Sequence, residues 1–172
     1  MDLRYPIGGP QIPEKIDMPQ IETWIIEVAT APELLRKSVA GLTEDQLNTP
    51  YRPGGWSVRQ VVHHLPDTHM NTYLNFRMAL TDQNAVMRPT NVDGWGSLED
   101  YKTQRVQVSL DLFQTLQERW VALLKIMSSA DFERTIESAR GPRSLAELLG
   151  IYAWHGKHHV AHITSLRERM EW

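Results

Sequence analysis

Four stretches of this chain repeat apolar residues at intervals of three and four. A pattern of that period makes helices with apolar stripes, and each stripe has to be buried against another element. The first stretch, "QIETWIIEVATAPELLRKSVAGL", carries Ile21, Trp24, Ile25 and Val28, then Leu34, Leu35 and Val39. Pro32 is expected to bend or interrupt it, and Gly41 lies where a helix C-terminus belongs. The second, "VRQVVHHLPDTHMNTYLNFRMAL", follows the helix-breaking "PGG" and an N-cap at Ser57, and carries Val58, Val62, Leu65, Tyr73, Phe76 and Leu80. Pro66 predicts a kink beside His63 and His64. The polar loop "MRPTNVDGWGS" leads to a third helix, expected to start near Ser97 and to cover "LEDYKTQRVQVSLDLFQTLQERWVALLKIM". After "SSADFERTIESARGPRS", read as irregular or extended, Ser144 and Glu147 have the spacing of a capping box and open a fourth helix that runs to the C-terminus.

Four long amphipathic helices with little strand signal imply an all-α fold, a four-helix bundle. The chain reads as one domain over residues 1–172, with an extended Pro- and Gly-rich N-terminal arm over 1–19. Its formal net charge of -3 leaves no electrostatic footprint for nucleic acid or an anionic membrane surface. No apolar run approaches the roughly 20 residues of a membrane span, and the N-terminus shows no basic-then-apolar leader, so a cytoplasmic location is expected. Cysteine is absent, which excludes disulfides, Cys-ligated zinc and a cysteine nucleophile. Any thiol in the chemistry must arrive with a substrate.

All seven histidines fall in two short windows, "HHLPDTH" (His63, His64 and His69) and "WHGKHHVAH" (His155, His158, His159 and His162). At about 100° per residue, the stripe of the last helix is Leu148, Ile151, Tyr152, Ile163, Leu166 and Met170. His155 and His159 fall in its middle, one turn apart, where two imidazoles can hold one metal ion. His158 and His162 lie nearer the edge and are expected to be partly exposed or to support the ligands. On the second helix periodicity favours His69. His64 lies about 120° from the centre of the stripe and His63 points further away.

"PYRPGGWSVRQVVHHLPDTHMNTY", together with "LLGIYAWHGKHHVAHITSL", resembles the DinB-like superfamily over nearly the whole chain. More narrowly it is similar to the bacillus YfiT group, described as metal-dependent hydrolases and bacillithiol transferases. The resemblance implies a divalent metal, zinc or nickel, one per chain, held by the second histidine of "VVHHL", His64, and by the pair His155 and His159. It also implies a homodimer.

Three neutral imidazoles leave a divalent ion its full charge and an open position. Three functions follow as expectations. The first is a thiol S-transferase that activates a low-molecular-weight thiol of the bacillithiol type to detoxify electrophiles. The second is a hydrolase that activates water against a small amide or ester. The third is a non-catalytic, metal-stabilised stress-response binding module. Asp67 is a candidate base or ligand-orienting group. Arg52 and Arg59 are candidates for binding a cofactor's carboxylates, and Trp56, Trp95 and Trp154 for walling a pocket. A solvated or purely structural role is the commoner one for each of these.

Overall fold

The computed structural model describes residues 2–172. Four long helices form it: α1 (Met18–Val39), α3 (Val58–Thr81), α6 (Val106–Ile126) and α8 (Leu145–Met170). Short helices fill the connections: α2 (Glu44–Leu47), α4 (Val92–Ser97), α5 (Asp100–Thr103) and α7 (Ser129–Glu133). Just before α8, β1 (Thr135–Ile136) and β2 (Arg143–Ser144) make a short antiparallel hairpin in the segment read as irregular or extended. The principal helix contacts are α1 with α8 and α6, and α3 with α6 and α8. The consecutive pairs α1–α3 and α6–α8 therefore lie across the diagonals of the bundle, which the long connections 40–57 and 127–144 can span.

Capping sets the helix starts. Ser57 with Gln60 and Ser144 with Glu147 each form a reciprocal capping box at α3 and α8, satisfying first-turn N–H groups that lack intrahelical partners. α1 begins earlier than the sequence pattern suggests. Asp17 accepts from the Gln20 amide at 2.9 Å, and Pro19 sits in the first turn, where its missing N–H removes no helical bond. The arm thus ends before Met18. Gly41, at φ +76°, follows the α1 C-cap in the left-handed region that favours glycine.

Three local expectations are corrected. Pro32 does not interrupt its helix: both it and Pro66 lie buried inside helices that continue through them. The third helix does not run unbroken: Gln104 and Arg105 are extended between α5 and α6. The Gln104 carbonyl accepts instead from Arg59 Nη1 at 2.9 Å and faces His63 Nε2 at 3.2 Å, so tertiary bonds have displaced a helical one. Ser97 does not start that helix. It ends α4, and its hydroxyl donates to the Gly94 carbonyl.

The core is two apolar clusters. One gathers Trp24, Val28, Phe76, Trp120, Leu148 and Leu149; the other gathers Leu35, Val61, Val62, Leu65, Phe113 and Ile163. Each fully buried side chain of this size contributes roughly 1.5–3 kcal/mol. Along α3 the two clusters abut between Leu65 and Tyr73, and along α8 between Ala153 and Ile163. Those are the two segments that carry the histidines outside the first turns of α3.

Candidate metal centre

His64 projects from α3, and His155 and His159 from successive turns of α8. One ring nitrogen from each meets within 4.8 Å of the others. His155 Nε2 lies 3.2 Å from His64 Nε2 and 3.1 Å from His159 Nε2. The structure thus brings together the pair that helical geometry selects and the histidine that only the resemblance selects. Periodicity misses His64 because it assumes one buried face. The first half of α3 is buried nearly all round, between α6 and α8 and under α4 and α5, so a residue well off the apolar stripe still faces the interior.

The residues fit a divalent ion. Burial, reinforced by the neighbouring imidazoles His158 and His162, depresses His64 to about 3, and burial holds His155 and His159 well below the usual range. All three are neutral at pH 7, with lone pairs to offer. Nitrogens about 2.0–2.1 Å from a tetrahedral ion lie roughly 3.3–3.4 Å apart, close to the two separations from His155 Nε2. Without an ion, three Nε2 atoms facing one another satisfy each other poorly, because each imidazole has one donor and one acceptor. No carboxylate joins the cluster among the described residues.

The outer nitrogens differ. His155 Nδ1 lies 3.3 Å from His69 Nε2, and His69 Nδ1 lies 2.7 Å from the amide nitrogen of Gln117 on α6. His69 is therefore outside the cluster, a fully buried ring behind His155. An amide can present either its donor or its acceptor, so Gln117 accommodates both tautomers of His69, and through it both of His155. His159 Nδ1 lies 3.3 Å from His162 Nδ1, whose Nε2 lies 3.1 Å from the Arg4 carbonyl oxygen. His64 Nδ1 is buried with no hydrogen-bond partner among the described residues. The expectation of partial exposure for His158 and His162 is wrong: they are 6% and 3% exposed, because the N-terminal arm and Tyr51 cover the edge of the α8 stripe. His162 stands directly behind His159, the position from which it is expected to support a ligand.

The cluster opens on a cavity of about 500 Å³ whose walls include Arg4 and Tyr5 from the arm, Tyr51, Arg52 and Trp56 from the 40–57 connection, and Tyr152. Trp56 packs against the His64 ring at 4.7 Å between centroids. Arg52 stands at this cavity, whereas Arg59 is buried elsewhere, bonded to Glu44, Asn48 at 3.0 Å and the Gln104 carbonyl. Asp67 accepts from the Tyr101 hydroxyl and lines a neighbouring cavity with Trp95. Burial raises the Asp67 carboxyl, and the Tyr101 bond opposes that. His63 bonds Ser109 Oγ at 2.7 Å and stays out of the centre. Trp154 stacks on His158 and donates to the Gly8 carbonyl. Sequence reasoning misses Gln117, although a polar residue at helical spacing from Phe113 and Trp120 on an apolar stripe is a signal. It also misses Arg4 and Tyr5, which nothing local ties to the histidines.

The family model for the DinB superfamily matches residues 27–163. Proteins from Bacillus cereus (strain 03BB102) and Bacillus thuringiensis subsp. konkukian (strain 97-27) are each 47% identical over 172 residues, covering 99% of both chains, and both bear the name "Putative metal-dependent hydrolase". The solved structure of YfiT from Bacillus subtilis, described as "a probable metal-dependent hydrolase with an unusual four-helix bundle topology", superposes with a TM-score of 0.97 at 42% identity, covering 100% of this chain and 99% of that one.

Proposed function

The chain belongs to the DinB superfamily, and from that premise we propose that it is a metal-dependent S-transferase joining a low-molecular-weight thiol of the bacillithiol type to small electrophiles. One divalent ion per chain, zinc or nickel, is held by His64, His155 and His159. When bound, such an ion supplies a Lewis acid with an open position that lowers the pKa of a thiol brought to it.

The observation that carries the reading is the absence, among the described residues, of a carboxylate in the histidine cluster: Asp67 is engaged by Tyr101 beside another cavity, and Asp93, on the cavity wall, is exposed and outside the cluster. Amide hydrolysis is assisted by a side chain that delivers a proton to the leaving nitrogen. Attack by a thiolate needs no general base beyond the effect that generates the thiolate. Arg4 and Arg52 at the cavity walls suit a thiol that carries carboxylates, and Trp56, Tyr51 and Tyr152 offer apolar surface for the electrophile. The names borne by the relatives favour a second reading, hydrolysis of a small amide or ester. A purely structural ion is disfavoured, because structural zinc takes four protein ligands and this cluster supplies three. We take the working form to be a homodimer; light scattering on the eluted protein tests that.

The test is conjugation of bacillithiol to monochlorobimane by metal-loaded protein, followed by fluorescence. A sulfur–carbon bond forms at the chloromethyl carbon, chloride leaves, and the thiol proton passes to solvent. Turnover that disappears in His64→Ala and His155→Ala supports the transferase. No turnover with any small thiol, alongside metal-dependent cleavage of amides or esters, replaces it with the hydrolase.

A further inference from the structure

We infer that the N-terminal arm is a working part of the metal centre: the Arg4 carbonyl, acting through His162, holds His159 in the one tautomer that leaves its Nε2 free to bind metal. This rests on the metal-centre reading above and adds two positioning groups to it. A carbonyl oxygen can only accept, so His162 Nε2, 3.1 Å away, carries the proton. A neutral imidazole has one N–H, which leaves His162 Nδ1 a bare acceptor. That atom lies 3.3 Å from His159 Nδ1, which must therefore be the donor. His159 Nε2, at the metal face 3.1 Å from His155 Nε2, is then left with its lone pair.

The direction of this relay is set at its far end by backbone, and the backbone is fastened. Two tight turns, from the Tyr5 amide to the Asp2 carbonyl and from the Gly8 amide to the Tyr5 carbonyl, shape the arm. Trp154 Nε1 donates to the Gly8 carbonyl at 3.2 Å. The His162 ring is stacked on Tyr51 at 4.0 Å between centroids, which fixes its plane. The arm is thus bonded to α8 at Trp154 and at His162, on either side of the two ligands. Because coupling between two equilibria is reciprocal, metal at His159 also tightens the arm.

The test has a readout that needs neither metal nor activity. Long-range proton–nitrogen correlation spectra of the metal-free wild-type chain report which ring nitrogen carries each proton. The expected pattern is His162 protonated on Nε2 and His159 on Nδ1; His162 protonated on Nδ1 overturns the inference. The second arm is zinc titration against a competing chelator. His162→Phe keeps the stacked shape without the relay and is expected to weaken zinc about 10–100-fold. His162→Gln carries a donor and an acceptor on one planar group and is expected to recover most of that loss. A Phe variant with wild-type affinity, or a Gln variant as weak as Phe, contradicts the relay; should Phe fail to fold, the wild-type spectra decide. Amide exchange over residues 2–9 should slow on adding zinc to wild type and not to His162→Phe; equal slowing in both counts against the coupling. If wild type itself takes up neither zinc nor nickel, the metal-centre reading fails, whereas normal uptake with an unaffected Phe variant sinks only the relay.

Discussion

Behind His159 the hydrogen-bond path ends on a backbone carbonyl; behind His155 it ends on the Gln117 side-chain amide. The first end can only accept, so it permits one tautomer. The second can donate or accept, so it permits two. His64 has no such path among the described residues. Three chemically identical candidate ligands therefore differ in how firmly their metal-binding form would be prepared: His159 is fixed, His155 can switch, and His64 is held in place by Trp56 and helix packing. Metal sites are sensitive to such outer partners, which orient the ring and choose its tautomer.

The largest effect belongs to the ligands themselves: His159→Ala should lose stoichiometric metal by elemental analysis, whereas His158→Ala should retain most of it. The reverse would mean that the other pair on α8 holds the ion. Next comes the switchable path. Gln117→Met removes the amide behind His69 and is expected to weaken zinc within about tenfold, less than the loss at His162, because it removes support that did not enforce one tautomer. A larger loss for Gln117→Met than for His162→Phe inverts the proposed ranking.

The pH dependence of the metal-free fold comes third. His64 and His69 are depressed to about 3 and His158 to about 4, each mainly by burial, against an ordinary value of 6.5. The unfolded chain therefore binds protons below 6.5 that the folded chain refuses. Stability is complete above 6.5 and is lost as pH falls toward those depressed values, at about 1.4 kcal/mol per pH unit for each proton refused. Denaturant melts of the metal-free protein should be flat at and above neutrality and fall steeply below 6.5; a flat profile down to about pH 5 contradicts the buried neutral cluster. The smallest effect on metal is expected in the apolar half. Leu149→Ala, at a fully buried position, should cost about 2–5 kcal/mol in urea unfolding yet leave zinc affinity within a few-fold. A large loss of affinity there would mean that the two regions are coupled.

The bundle was legible because period and caps act locally: Ser57 and Ser144 begin their helices as the capping residues predict. His155 and His159 were legible for the same reason, since two residues one turn apart on a buried stripe must share a face. The break at Gln104 was not, because it depends on Arg59 and His63 claiming a carbonyl from a distant element. His64 was legible only through family resemblance, since α3 is buried on more than one face. Arg4 left no mark, because it acts through its backbone, which every residue has.

The proposed chemistry requires three histidines to hold one ion that still has room for sulfur. Loading the metal-free protein with cobalt and recording its absorption before and after bacillithiol tests this directly. One cobalt per chain and a new sulfur-to-cobalt charge-transfer band on adding the thiol are expected, both lost in His64→Ala. Saturable cobalt binding with a spectrum that bacillithiol leaves unchanged would contradict that chemistry.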